Sequence, residues 1–203
     1  MEFLSGCRKQ LGSQEYTELA AYRYRVFVEH LGWELGCPEG FEADQFDRDD
    51  TLYVISHDPE GRINGCARLL PTVRPYLLKD VFPELLNGAT PPVSEDVWEL
   101  SRFTAFTLEG RMESGVGQFS SPVAVELLRE SIACAARQGA RRLITVSPLG
   151  VERLLRRAGF RAHRAGPPII VGGYPLFACW IDVDAQTVAG GESPVGSPSP
   201  GRK

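Results

Sequence analysis

Residues 97–107 read Val97-Trp98-Glu99-Leu100-Ser101-Arg102-Phe103-Thr104-Ala105-Phe106-Thr107. The run reads as a strand, with Trp98, Leu100 and Phe103 apolar, yet Glu99 and Arg102 spoil the clean alternation of a half-buried strand. Charges inside a run that otherwise looks buried belong either to a structural bridge or to a site. Both readings stay open on this stretch alone.

Working outward, residues 51–57 and 63–70 are β-rich runs on either side of Asp58-Pro59-Glu60-Gly61-Arg62, the pattern of a hairpin. Residues 77–86 form a short helix around Phe82-Pro83. Residues 14–31 place Leu19, Tyr22, Val26, Phe27 and Leu31 at helical spacing. Residues 32–50 are rich in glycine and acids without periodicity, so they read as a long loop that Trp33, Phe41 and Phe46 anchor. Beyond the central strand, residues 122–138 fit a helix with Ser121 as cap and Gly139 as stop. Residues 142–147 follow as a strand and 151–158 as a basic helix. Residues 169–171 and 176–183 close the domain as strands.

Strands and helices in this order predict an α/β sandwich around a twisted mixed sheet. One domain spans residues 1–184. Residues 185–203 are rich in Gly, Ser and Pro, too poor in apolar surface to order themselves.

The chain has 203 residues, 43% hydrophobic and 24% charged, as ordinary globular proteins do. It carries neither a spanning apolar segment nor a signal-peptide core, which predicts a cytoplasmic protein. Five scattered cysteines predict reduced, mostly buried thiols, and three isolated histidines give no zinc pattern. The net charge of −4 conceals a segregation. Ten acids against one base lie between Glu29 and Glu60, whereas nine arginines against two acids lie between Arg129 and Arg164. The first segment suits a cation and the second an anion. No nucleic-acid motif accompanies the arginines.

Arg23, Phe27 and Trp33, Asp44-Gln45-Phe46-Asp47, Ala67-Arg68-Leu69-Leu70-Pro71 and Glu99-Leu100-Ser101-Arg102-Phe103 together resemble the LuxI-type acyl-homoserine-lactone synthases. The resemblance runs from about Leu4 to about Val183. Singly, each residue has a plainer explanation: core aromatics, loop caps, an ion pair of Arg68 with Glu99. Their joint spacing carries the likeness.

The resemblance implies a GNAT-like fold, helices on both faces of the sheet, with two central strands splayed to admit an acyl-pantetheine arm. It implies that S-adenosylmethionine, as substrate and not cofactor, receives an acyl group from an acyl carrier protein and then lactonises, releasing methylthioadenosine. No metal is called for. Glu99, Arg102, Asp44, Asp47, Arg23 and Arg68 form the implied catalytic set, with Glu99 as proton acceptor. Phe27, Trp33, Glu42, Asp44, Asp47, Arg102 and Phe103 form the implied S-adenosylmethionine site, rings and acids facing a sulfonium and an ammonium. Arg23, Arg68 and Arg102 are expected in a network with Asp44, Asp47 and Glu99. The acyl slot is assigned to Leu100, Ser101, Phe103, Thr104, Val123, Leu127, Ile144, Thr145, Val146 and Ser147. Carrier docking is assigned to Arg153, Arg156 and Arg157. Two competing readings are an N-acyltransferase using acyl-coenzyme A and a non-enzymatic sensor of the same ligands. The coenzyme-A-like string Arg62-Ile63-Asn64-Gly65-Cys66-Ala67 lies in a predicted hairpin and opens no helix, so it cannot cradle a pyrophosphate.

Overall fold

The computed structural model describes residues 1–107 and 121–184. Eight strands form one mixed sheet: β1 (Glu2–Cys7), β2 (Leu52–His57), β3 (Ile63–Pro71), β4 (Val97–Ala105), β5 (Arg142–Pro148), β6 (Ala162–Arg164), β7 (Ile169–Val171) and β8 (Tyr174–Asp182). Their order is β1-β2-β3-β4-β5-β8-β6, with β7 also paired to β8. Every pairing is antiparallel except β4 with β5.

That parallel pairing is short. Only Val97↔Arg142, Trp98↔Leu143 and Glu99↔Ile144 face each other, although β4 continues to Ala105 and β5 to Pro148. The two central strands therefore part beyond Glu99 and Ile144 and leave a V between their C-terminal arms. This is the splayed cleft that the resemblance implied.

Five helices, α1 (Arg8–Leu11), α2 (Ser13–Arg23), α3 (Leu77–Val81), α4 (Pro122–Arg137) and α5 (Val151–Arg157), cover both faces. On one face Val54, Ala67, Leu69, Leu100 and Leu143 pack with Leu127 and Ile132 of α4 and Leu155 of α5. On the other, Tyr53, Ile55 and Cys66 meet Leu19, Tyr22 and Phe27, while Leu70, Val97 and Ile144 meet Leu78, Leu85 and Phe46. Close approach under α4 requires a glycine at Gly65, where a Cβ would lie 2.6 Å from Ser56 Oγ.

The predicted elements are present with shifts at their ends, and three differences have physical reasons. The expected helix over residues 14–31 stays α-helical only to Arg23 and continues as a π-helix from Tyr24 to His30. Its end is closed by the Leu31 amide on the Val26 carbonyl at 2.9 Å, a wider i→i−5 turn. The helix over residues 77–86 divides at Pro83 into α3 and a 3-10 turn, Pro83–Leu86. The edge elements β1, α1 and β6 were not foreseen, being short and weakly patterned. The glycine string of residues 62–67 lies mostly in β3 and opens no helix, as expected. All five cysteines are unbridged and three of them are buried. Among the described residues no helix is long and apolar enough to cross a membrane. The expected tail over residues 185–203 lies outside the described residues.

Candidate active site

The site begins with an irregularity in β4. Arg68 pairs with Ser101 but Cys66 pairs with Thr104, so β4 holds one residue more than β3 across this interval, a β-bulge. Arg102 sits in it with φ of 50°, a left-handed backbone that costs a non-glycine residue about 1–2 kcal/mol. Glu99 and Ser101 occupy the face opposite Leu100. The bulge turns Arg102 to that same face, where its guanidinium meets Glu42 and Asp44. The broken alternation in the sequence is this bulge. The Cys66 thiol donates to the Arg102 carbonyl at 3.4 Å.

Six charged side chains then close into a ring. Arg23 donates through Nε to Glu42 and through Nη1 to Asp47 at 2.8 Å. Arg68 Nη1 donates to Asp47 at 3.1 Å and to Asp44 at 2.6 Å. Arg102 donates to Asp44 at 3.0 Å, and from Nε and Nη2 to Glu42 Oε1 at 3.1 and 3.0 Å. Each carboxylate bridges two guanidiniums. Tyr53 adds a hydroxyl bond to Asp47 at 2.8 Å, and Arg68 Nε donates to Ser101 Oγ at 3.0 Å. Arg23, Arg68, Glu42 and Asp47 are fully buried, while Asp44, 17% exposed, forms the ring's open edge.

Burial alone pushes the Glu42 carboxyl up, but Arg23 and Arg102 outweigh it and hold the group below the ordinary carboxylate range. Asp47 is likewise pushed up by burial and pulled well below that range by Arg23 and Arg68. Glu42 and Asp47 are ionised, and the ring sets three carboxylates against three guanidiniums. The expected network of Arg23, Arg68 and Arg102 with Asp44 and Asp47 is present, and Glu42 joins it. The loop that carries these acids is pinned from within.

Beside the ring, the Trp33 indole stacks on Phe27, centroids 4.8 Å apart and planes at 26°. The Arg102 guanidinium lies 5.6 and 5.7 Å from these two rings. Trp33 is 41% exposed, so the aromatic pair stays partly accessible beside Arg102. Phe103, assigned to the same site from the sequence, packs on the opposite face of the sheet with the α4 cluster. It leaves the aromatic set.

Glu99 is not in the ring; Glu42 holds the place expected for it. Its carboxylate instead accepts the amides of Leu77 and Leu78, at 2.8 and 2.6 Å, where α3 begins. Burial pushes its carboxyl up to about 7, with the two amides and the nearby arginines opposing. A carboxyl of that affinity exchanges its proton near neutral pH. Glu99 also lies on the last rung before the V opens.

The residues assigned to the acyl slot divide between the faces. Leu100, Phe103 and Leu127 belong to the α4 cluster, whereas Ile144 and Val146 belong to the opposite one. Thr145 and Ser147 alternate with the latter along β5 and so face α4, while Ser101 and Thr104 face the ring side. One slot touches both sets only by passing through the V. Val123 is half-buried on α4. Arg153, Arg156 and Arg157 are exposed on α5, Arg156 paired to Glu152 at 2.7 Å. Part of the arginine-rich segment covers rings instead of awaiting an anion: Arg129 over Phe160, Arg142 over Trp180 and Arg164 over Phe177. The sequence did not single out Tyr53, Cys66 or the Leu77 and Leu78 amides, which look like ordinary core positions.

A mixed sheet whose central parallel strands part, with a charged site on one arm, has the GNAT-like architecture. A solved acyl-CoA N-acyltransferase from Pseudomonas aeruginosa shares the fold, with a TM-score of 0.60 at 16% identity over 88% of this chain and 97% of its own. The autoinducer synthase family matches residues 8–189, and the chain belongs to that family. An acyl-homoserine-lactone synthase of Acinetobacter nosocomialis is 54% identical over 90% of this chain and all of its own length. One from Ralstonia solanacearum is 52% identical over 90% of this chain and 89% of its own. Among solved structures, TofI in a ternary complex with an inhibitor and MTA is 48% identical, with a TM-score of 0.79 over 93% of this chain and 95% of that one. The CoA-dependent synthase BjaI, solved with SAM and isopentyl-CoA, is 26% identical, with a TM-score of 0.76 over 92% and 84%.

Proposed function

We propose that this acyl-homoserine-lactone synthase takes its acyl group from an acyl carrier protein and its homoserine unit from S-adenosylmethionine. The observation that carries this reading is the juxtaposition of a partly exposed indole and a ring of ion pairs with the arm of a V between splayed strands. The Trp33 and Phe27 rings offer a π face to the sulfonium. With the acids neutralised by arginine, the ring supplies shape and fixed dipoles more than net charge. Asp44, at its open edge, is the carboxylate placed to meet the substrate ammonium. Arg102 is the guanidinium placed to meet its carboxylate.

Acyl transfer requires the substrate amine to lose a proton before it attacks the thioester. Glu99 accepts it through a water, since each of its oxygens keeps a lone pair beyond its amide bond. The carbon–sulfur bond of the thioester then breaks as the amide forms, and the thiol leaves with a proton. In the second step the substrate carboxylate attacks the carbon next to the sulfonium and expels methylthioadenosine, closing the lactone. Proximity within one bound molecule drives that step. The acyl chain runs through the V, from Ser101 and Ile144 on one face toward Leu100, Thr145 and Leu127 on the other.

Acyl carrier proteins are small and acidic, and Arg153, Arg156 and Arg157 present a basic face to such a partner. Coenzyme A is the second donor considered, because BjaI is CoA-dependent. Purified protein given S-adenosylmethionine with matched acyl groups on either donor decides between them: the carrier-bound thioester should show the higher kcat/KM. Preference for the coenzyme A thioester overturns the donor assignment.

A further inference from the structure

The tip of the β4 arm is held by two side chains from the α2 and π-helical segment. The Tyr22 hydroxyl donates to the Phe106 carbonyl at 2.9 Å and accepts from the Phe106 amide at 3.2 Å. The His30 imidazole, last in the π-helix, lies against the Phe106 ring with centroids 4.5 Å apart and planes at 30°. Its Nε2 is buried and has no hydrogen-bond partner among the described residues. A buried polar nitrogen left unpaired is costly, and a phenyl ring would fill the same stack without that cost. Such an atom calls for a hydrogen-bond partner, a water or a ligand.

The surroundings indicate which partner. Three residues earlier in the same π-helix, Phe27 turns its ring to Trp33 and Arg102. Phe106 itself follows directly on the β4 arm, past the point where β4 and β5 part. The other end of the V is shut by the rungs from Val97↔Arg142 to Glu99↔Ile144, so a thioester enters from the end that Phe106 and His30 flank. On a carrier protein and on coenzyme A alike, that thioester hangs from a pantetheine arm with two amides. Each amide offers a donor and an acceptor, so it pairs with either tautomer of an imidazole.

We propose that His30 Nε2 is a hydrogen-bonding subsite for a pantetheine amide of the acyl donor; this rests on the donor chemistry of the reading above. His30 is then a binding residue for the arm, independent of which carrier body bears it.

The test compares the parent with His30→Phe, which keeps the stack and removes the nitrogen, and His30→Gln, which restores a polar group. Steady-state kinetics are run with the same acyl group on carrier protein, on coenzyme A and on free pantetheine. His30→Phe should raise the KM of every donor the parent uses by about 5–10-fold, the loss expected of one hydrogen bond. The KM for S-adenosylmethionine should stay within about twofold, and His30→Gln should recover most of the donor KM. An unchanged donor KM in His30→Phe overturns the proposal. So does a rise confined to one carrier, which assigns the contact to the carrier body, or an equal rise for S-adenosylmethionine. If the phenyl variant does not fold, His30→Met serves the same comparison. If the parent turns over no donor, the functional reading is what fails. Calorimetric binding of acyl-pantetheine to parent and variant then judges the subsite alone: weaker binding to the variant supports it, and equal or no binding overturns it.

Discussion

Arg102 and Asp44 meet at 3.0 Å where the ion-pair ring opens toward solvent, and the arginine reaches that position only because its backbone is left-handed in a β-bulge. Its fork also holds Glu42 through Nε and Nη2. Lysine keeps the charge but cannot make these bonds together. Arg102→Lys should therefore lower kcat/KM for S-adenosylmethionine by about tenfold or more, the equivalent of one to two charge-assisted bonds. Steady-state kinetics at saturating acyl donor measure it.

Asp47 lies at the buried side of the same ring, bonded to Arg23, Arg68 and Tyr53. Removing its charge leaves three guanidiniums to share two carboxylates in a dry interior. Asp47→Asn should cost about 3–5 kcal/mol of folding stability, read as a lower midpoint in urea unfolding. A loss of activity without that shift would place Asp47 in substrate contact instead of in the framework.

Trp33 contrasts with Asp47 because it is largely a surface residue stacked on one ring. Trp33→Ala should change stability by only about 0.5–1.5 kcal/mol, the order of one aromatic pair. The KM for S-adenosylmethionine should rise, with the donor KM unaffected. Paired unfolding and kinetic measurements separate the two effects.

Glu99 supplies a pH signature. The unfolded chain releases this proton near the ordinary 4.5, while the folded protein holds it up to about 7. Between those values the folded state binds more proton, so this group's contribution to stability falls as pH rises, by at most about 1.4 kcal/mol per unit. Glu42 and Asp47 act in the opposite sense: held below the ordinary range, they stabilise above it and lose that contribution on acidification. Glu99→Gln should remove the first dependence and leave the second. The stability of the variant relative to the parent should rise from pH 4.5 to 7 and then level, as followed by thermal unfolding across pH. Its turnover should fall at neutral pH; full turnover would end the proton-acceptor role.

How far these features were legible in the sequence follows from what each depends on. The hairpin of β2 and β3, the α4 helix and the strand at β4 were readable because turn residues, a Ser121 cap and apolar spacing are local signals. The edge strands β1 and β6 were not, since they depend on pairing with distant partners. Membership of the charged residues in one site was legible through their joint spacing, but the pairing was not. Sequence could not tell that Glu42 would close the ring, a contact that the bulge at Arg102 makes, or that Glu99 would turn to the amides where α3 begins, a contact between distant parts of the chain. The same applies to Phe103. An extra residue in a strand shifts every later side chain to the other face, and the broken alternation gave notice of a bulge without giving its position.

The most direct measurement is mass spectrometry of a reaction holding only purified protein, S-adenosylmethionine and an acyl carrier protein charged with a fatty acyl group. The proposed chemistry predicts an N-acylhomoserine lactone and methylthioadenosine in equal amounts. Their absence, or formation of an acylated amine while the sulfonium stays intact, would contradict it.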